Sequence, residues 1–311
     1  MMTNHRMIAL VVLGLLACAK EKTTTAGGTG GGMEDTGGAG GGATPTGGSP
    51  GTGGAKGTGG SPAADAGPSS DTALTPDTGT ASPDVAAPVE AGPARVLIYT
   101  KTNGTTHVNG IVGAVSSFKA GLGGMGITVD TANDPMVFSE ANLARYAGVI
   151  MVSTSGAPFG TPGTAQIDAL IAFVKKGGGL AGFHAASSTD YGATSAFTAL
   201  LGGETKDQGG GFRMSDCFPE GSNPSVAKVT MPWRVANEEF YTFNGLNPAN
   251  MVVLRCNANT GTEKIPISWV RQEGAGRVFF TGLGHYPQFW AQGESFFTNH
   301  ALPGVLWTIG R

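Results

Sequence analysis

Three of the five histidines in this 311-residue chain stand directly after runs with strand character. His184 closes the short apolar run Gly179-Leu180-Ala181-Gly182-Phe183 and is followed by Ala185-Ala186. His285 comes just past Phe279-Phe280-Thr281, and His107 ends the loop that follows Arg95–Thr100. In open parallel sheets, functional groups collect where strands end, so these loops read as neighbours on one sheet edge. Glu238-Glu239-Phe240-Tyr241 adds two carboxylates and a phenol. An imidazole titrates near neutral pH, and a carboxylate beside it fixes its tautomer and raises its basicity. His184 and Glu239 therefore read as a proton-transfer pair. His285 and His107 would orient ligand hydroxyls, and Tyr241 would line the pocket. The bland reading treats each histidine as a hydrogen-bonded structural residue and Glu238-Glu239 as a solvated pair.

Other chemistries find less support. Three histidines can hold a catalytic zinc with a fourth position open. No two of these, however, have the short spacing of an HExxH site, so no cofactor is assigned and a divalent metal stays an option only. There is no GxSxG elbow, and Ser187 and Ser188 follow His184 without an evident partner. Gly177-Gly178-Gly179 precedes a strand, the reverse of a dinucleotide fingerprint. The net charge is −3 with no basic stripe, which argues against nucleic-acid binding. Cys217 and Cys256 fit neither a zinc motif nor a CxxC pair. They are read either as a disulfide of an oxidising compartment or as two separate thiols. Trp233, Trp269, Trp290, Tyr241 and Tyr286 could offer platforms to sugar rings or fill the core.

The elements that must position these groups begin near residue 94. Before it, residues 1–18 carry a basic start and an apolar run too short to span a bilayer. That run ends Leu15-Leu16-Ala17-Cys18, which resembles a bacterial lipobox with Cys18 as the lipidated residue; an ordinary secretory signal is the other reading. Residues 19–93 are Gly, Thr, Ser and Pro-rich and bury too little apolar surface to offset ordering entropy. They read as a disordered tether, with an end-to-end distance on the order of 45–50 Å. Within 94–311, strands are expected at 95–100, 126–130, 146–153 and 179–183. Helices are expected at 109–120, after a Ser139 N-cap, and between Pro162 and Gly177. Alternation at this spacing predicts βαβ units and a parallel sheet. Further strands at 225–230, 251–256, 265–270 and 277–281 and a terminal helix over 294–309 predict a mixed sheet with antiparallel additions.

At these motifs the domain resembles the trehalose-utilisation (ThuA-like) family, whose fold belongs with the class I glutamine amidotransferase-like proteins. The residues that carry the resemblance are Lys101–His107, Gly177–Ala186, Glu238–Phe243, and Ile267-Ser268-Trp269 through Gly276–His285. It implies a three-layer, flavodoxin-like α/β fold with a mixed, mainly parallel sheet and helices on both faces. It further implies a sugar or keto-glycoside as substrate, handled by His/Glu acid–base chemistry in carbohydrate catabolism. A non-catalytic carbohydrate-binding lipoprotein is the alternative. The partners implied are a small carbohydrate and a lipid anchor, with the domain held in the cell envelope. His184 occupies the place of the amidotransferase nucleophilic cysteine, which excludes glutaminase thioester chemistry. Ser188, Ile265, Asn223-Pro224 and Thr106 depart from the family pattern and imply a site with fewer polar groups.

Overall fold

The computed structural model describes residues 94–207, 212–257 and 263–311. The signal segment, Cys18 and the tether lie outside the described residues. Among the described residues, no helix is long and apolar enough to cross a membrane.

Four apolar runs form the centre of the sheet. They are β1 (Arg95–Tyr99), β3 (Gly148–Val152), β4 (Gly179–Phe183) and β11 (Gly276–Thr281), nearly all buried. Together with β2 (Thr128–Ala132) they pair in parallel in the order β2-β1-β3-β4-β11. Counting parallel strands alone, this is the 2-1-3-4-5 order of flavodoxin-like folds. The sheet then continues through antiparallel pairs: β10 (Lys264–Glu273), β9 (Met251–Asn257), β6 (Phe212–Pro219) and the edge strand β7 (Trp233–Glu239). A separate ribbon pairs β5 (Glu204–Asp207) with β8 (Thr242–Asn244).

Side-chain alternation splits the core into two layers. Val96, Ile98, Ile150 and Phe183 face one side, where they pack with Phe118 and Leu122 of α1 (Val108–Gly123) and with the C-terminal helical segment. Leu97, Tyr99, Val149 and Leu180 face the other, against Leu170 and Val174 of α3 (Thr164–Lys175) and Phe197 of α4 (Ala196–Leu201). Each fully buried side chain of this size contributes about 1.5–3 kcal/mol. The short helix α2 (Glu140–Leu143) is capped as expected, with Asn142 N–H donating to Ser139 Oγ.

Some expectations shift. Gly126 takes φ +75° in the turn after α1, so the second strand starts two residues later than its apolar pattern indicates. Residues 225–230 are not a strand. Asn223 accepts from Ser225 N–H at 3.0 Å and opens a turn, from which Val226 and Val229 are buried. The terminal helix is divided, with a π-helical turn (Phe296–Ala301) running into α5 (Leu302–Thr308), which has Pro303 in its first turn. Cys217 and Cys256 stand directly opposite in the β6–β9 ladder and form a disulfide that closes 39 residues. On loop-closure grounds such a link is worth about 4 kcal/mol.

His300 is fully buried in this frame. Its Nδ1–H donates to Ser225 O at 2.8 Å, and its Nε2 meets Ser268 Oγ at 2.9 Å and Thr281 Oγ1 at 3.1 Å. Burial lowers its pKa from 6.5 to about 4, so the native state holds it neutral. The stability this contributes is present above pH 6.5 and is lost as pH falls toward 4. For one such group the loss is on the order of 3 kcal/mol. Denaturant unfolding followed from about pH 7 to pH 4.5 is expected to show a shallower decline in His300→Gln than in the wild type. Parallel declines would contradict the assignment.

Candidate active site

Four loops deliver the site to the C-terminal edge of the parallel strands. His107 is the N-cap of α1, placed by the loop after β1. His184 leaves β4 with φ +53°, a left-handed conformation that costs a residue with a Cβ roughly 1–2 kcal/mol. His285 follows β11, and Glu239 ends β7. The structure brings all three histidines together with Glu239 and Tyr241, as their sequence placement predicts.

Glu239 Oε2 is the meeting point. It lies 3.4 Å from His184 Nε2, 3.3 Å from His285 Nδ1 and 3.8 Å from His107 Nε2, and it accepts from Tyr241 O–H at 3.1 Å. Tyr241 Oη is also 2.9 Å from His184 Nε2, and its ring stacks on that imidazole at 4.6 Å. His184 Nδ1 is 3.0 Å from Gly282 O. A carbonyl only accepts, so the His184 proton sits on Nδ1 and the Nε2 lone pair points into the cluster.

Burial sets the protonation states. It lowers His184 to about 4, against the pull of the Glu239 carboxylate beside it, so this imidazole is neutral. Burial also works to raise the Glu239 carboxyl, but the surrounding imidazoles of His107, His184 and His285 outweigh it and hold the group well below the usual carboxylate range, so it is ionised. Tyr241 is pushed well above the usual phenol range by burial and then by the neighbouring Glu239 charge. Access is unequal. The His184 side chain is 0% exposed and that of His285 is 21% exposed, so a ligand meets His285 first.

Glu238 is a positioning residue that its sequence context did not single out from Glu239. Its carboxylate accepts from Gly284 N–H at 2.7 Å, Glu239 N–H at 2.9 Å and His285 N–H at 3.3 Å, and so clamps the loop that carries His285. Burial raises its pKa to about 8 against the pull of these donors. Adjacent strand residues ordinarily face opposite ways. Here both glutamates are buried, and just before them β7 holds an extra residue: Ser215 pairs with Val235 but Arg213 with Glu238, and Asn237 sits at φ +55°. A bulge of this kind re-aims side chains next to a site. The readable signal was the asparagine, a residue that tolerates the left-handed region.

Of the aromatics considered as sugar platforms, Trp233, Trp269 and Trp290 are buried core residues. Tyr241 lies behind His184. At the mouth stand Tyr286 and Phe212, whose rings lie 5.2 Å apart, with Phe212 also 4.7 Å from His285. Phe212 pairs with Glu239 in the ladder and was missed, because a lone exposed aromatic carries no signal before its pairing is known.

A flavodoxin-like parallel core with a histidine at the strand-end elbow, gathered with two more around one carboxylate, defines the class. The chain belongs to the ThuA family, described as trehalose utilisation, whose model matches residues 95–308. Among solved structures it is similar to a ThuA-like protein from Bacteroides uniformis at 20% identity and TM-score 0.58, covering 72% of this chain and 94% of that one. A ThuA-like protein from Parabacteroides merdae matches at 16% identity and TM-score 0.52, over 70% of this chain and 90% of that one. No curated protein matches the sequence.

Gly110 fixes the distance between two of these loops. A Cβ there would lie 2.4 Å from His285 O. Helix propensity alone favours alanine over glycine by about 1 kcal/mol. Gly110→Ala is nevertheless expected to lower stability, by about 1–3 kcal/mol, because α1 must move off the His285 backbone. An increased melting temperature would contradict that close approach.

Proposed function

We propose that this chain is an exported, membrane-tethered ThuA-like protein that acts on a sugar or keto-glycoside by acid–base chemistry at the Glu239 cluster. The observation that carries the reading is the convergence of three imidazoles and a phenol on one buried carboxylate oxygen. Glu239, held ionised, is a proton acceptor, and Tyr241, held protonated, is a donor. His184 Nε2 and Glu239 Oε2 share the Tyr241 proton, and His107 braces the carboxylate from the side of α1. His285, the partly exposed imidazole, orients the hydroxyls of the ligand, whose apolar ring face fits Phe212 and Tyr286. The family's link to trehalose utilisation supports a carbohydrate as the substrate class.

The disulfide between Cys217 and Cys256 supports an oxidising compartment. The lipobox-like Leu15-Leu16-Ala17-Cys18 supports a lipid anchor there. Fatty-acid labelling of the full chain is expected to mark Cys18 and to be lost in Cys18→Ser; an unlabelled, soluble mature protein would remove the tether.

Turnover is tested by incubating the full chain with disaccharides and their oxidised keto forms. Glu239→Gln is expected to lower turnover by about 10²–10⁴-fold with its melting temperature little changed. A folded Glu239→Gln chain with full activity would sink the role of Glu239. Saturable binding with no new product would replace the enzyme by a carbohydrate-binding protein.

A further inference from the structure

We infer that His107, His184, His285 and Glu239 form a binding site for one divalent transition-metal ion of the zinc class. The inference deepens the function proposed above and rests on it for the place of the site, though not for the reaction.

The first support is spacing. The four ligand atoms all lie within 4.8 Å of one another. The measured edges are 3.4 Å from Glu239 Oε2 to His184 Nε2, 3.3 Å to His285 Nδ1 and 3.8 Å to His107 Nε2, with 3.1 Å between His184 Nε2 and His285 Nδ1. Donors bound at ~2.1 Å are ~3.4 Å apart in a tetrahedron and ~3.0 Å apart at right angles. Three of the four measured edges are close to these values, and His107 stands slightly farther out.

The second support is proton bookkeeping. His184 spends its one proton on Gly282 O, so Nε2 offers a lone pair. Glu239 Oε2 offers lone pairs only. Tyr241 has a single proton to share between these two acceptors. His285 Nδ1 faces both of them. His184 Nε2 and Glu239 Oε2 thus turn lone pairs toward one buried point, an arrangement that a cation satisfies.

The third support lies in the surrounding shell. The Gly282 carbonyl orients His184 as backbone carbonyls orient metal-bound imidazoles, and Glu238 fixes the backbone of His285. Imidazole and carboxylate donors without thiolate suit zinc, iron, cobalt or nickel over calcium or magnesium. A cation here would sit behind the exposed edge of His285, where it could polarise a ligand carbonyl or hydroxyl and lower the pKa of a bound water.

The test uses the full chain, purified without a His-tag and stripped with chelator, then titrated with Zn²⁺ and with Co²⁺. One Zn²⁺ per chain is expected, with visible Co²⁺ bands of a four- or five-coordinate, nitrogen-containing site. Glu239→Gln and His285→Ala are each expected to weaken Zn²⁺ binding at least about tenfold, while His300→Gln, a buried histidine outside the cluster, leaves it unchanged. Should the cluster variants fail to fold, wild-type data suffice: a Co²⁺ spectrum identical to that of the hydrated ion overturns the site. Zn²⁺ uptake that both cluster variants retain overturns it as well. Metal bound as expected without turnover of any carbohydrate keeps the site and removes the catalytic reading. Turnover that survives chelation, with no metal uptake, does the reverse.

Discussion

One carboxylate oxygen, Glu239 Oε2, sets the terms for the rest of the site. An ionised carboxylate in a buried position is tolerated only where polar partners replace the water it has lost. Here the partners are the imidazoles of His107, His184 and His285 and the hydroxyl of Tyr241, each from a different stretch of chain. Removing the carboxylate leaves polar groups facing each other, and removing the imidazoles leaves a buried charge. Charge and polar shell are therefore a single structural decision.

The scaffold serves that decision at several points where regular structure is broken. His184 takes a left-handed turn as it leaves β4, which swings the imidazole over the sheet edge. Asn237 adds a residue to β7 just before Glu238 and Glu239, of which one holds a backbone loop and the other faces the histidines. Gly110 lets α1 lie against the His285 backbone. These departures from ideal geometry lower local stability. The two-layer core, with apolar strands buried on both faces, supplies the surplus that lets them persist.

The parallel half of the fold was legible because its signals are redundant. Continuous apolar strands, helical spacing at Ile167, Leu170, Ile171 and Val174, and a Ser139 cap all agree. The antiparallel half was less so. β6 and β7 are solvated on alternate residues and interrupted by a bulge, and Val226 and Val229 owe their burial to a turn that merely contains a β-branched run. The five site residues were visible from residue type and strand-end placement. Their roles were not, because type does not encode burial. His184 and His285 look alike in sequence. The structure separates them into a neutral inner imidazole and a partly exposed outer one.

The positions 107, 184, 239 and 285 are scattered across nearly the whole domain, and every pairing among them is long-range. Local segments can acquire their helices and turns early, but none contains more than a fragment of the cluster. Because contacts between distant residues carry the largest loop-closure entropy, the site is among the last features to be completed as the chain folds. The paired chemistry of Glu239 and His285 cannot exist until the final parallel strand, β11, has docked beside β4. Only a domain with every layer in place gathers the four side chains at one point.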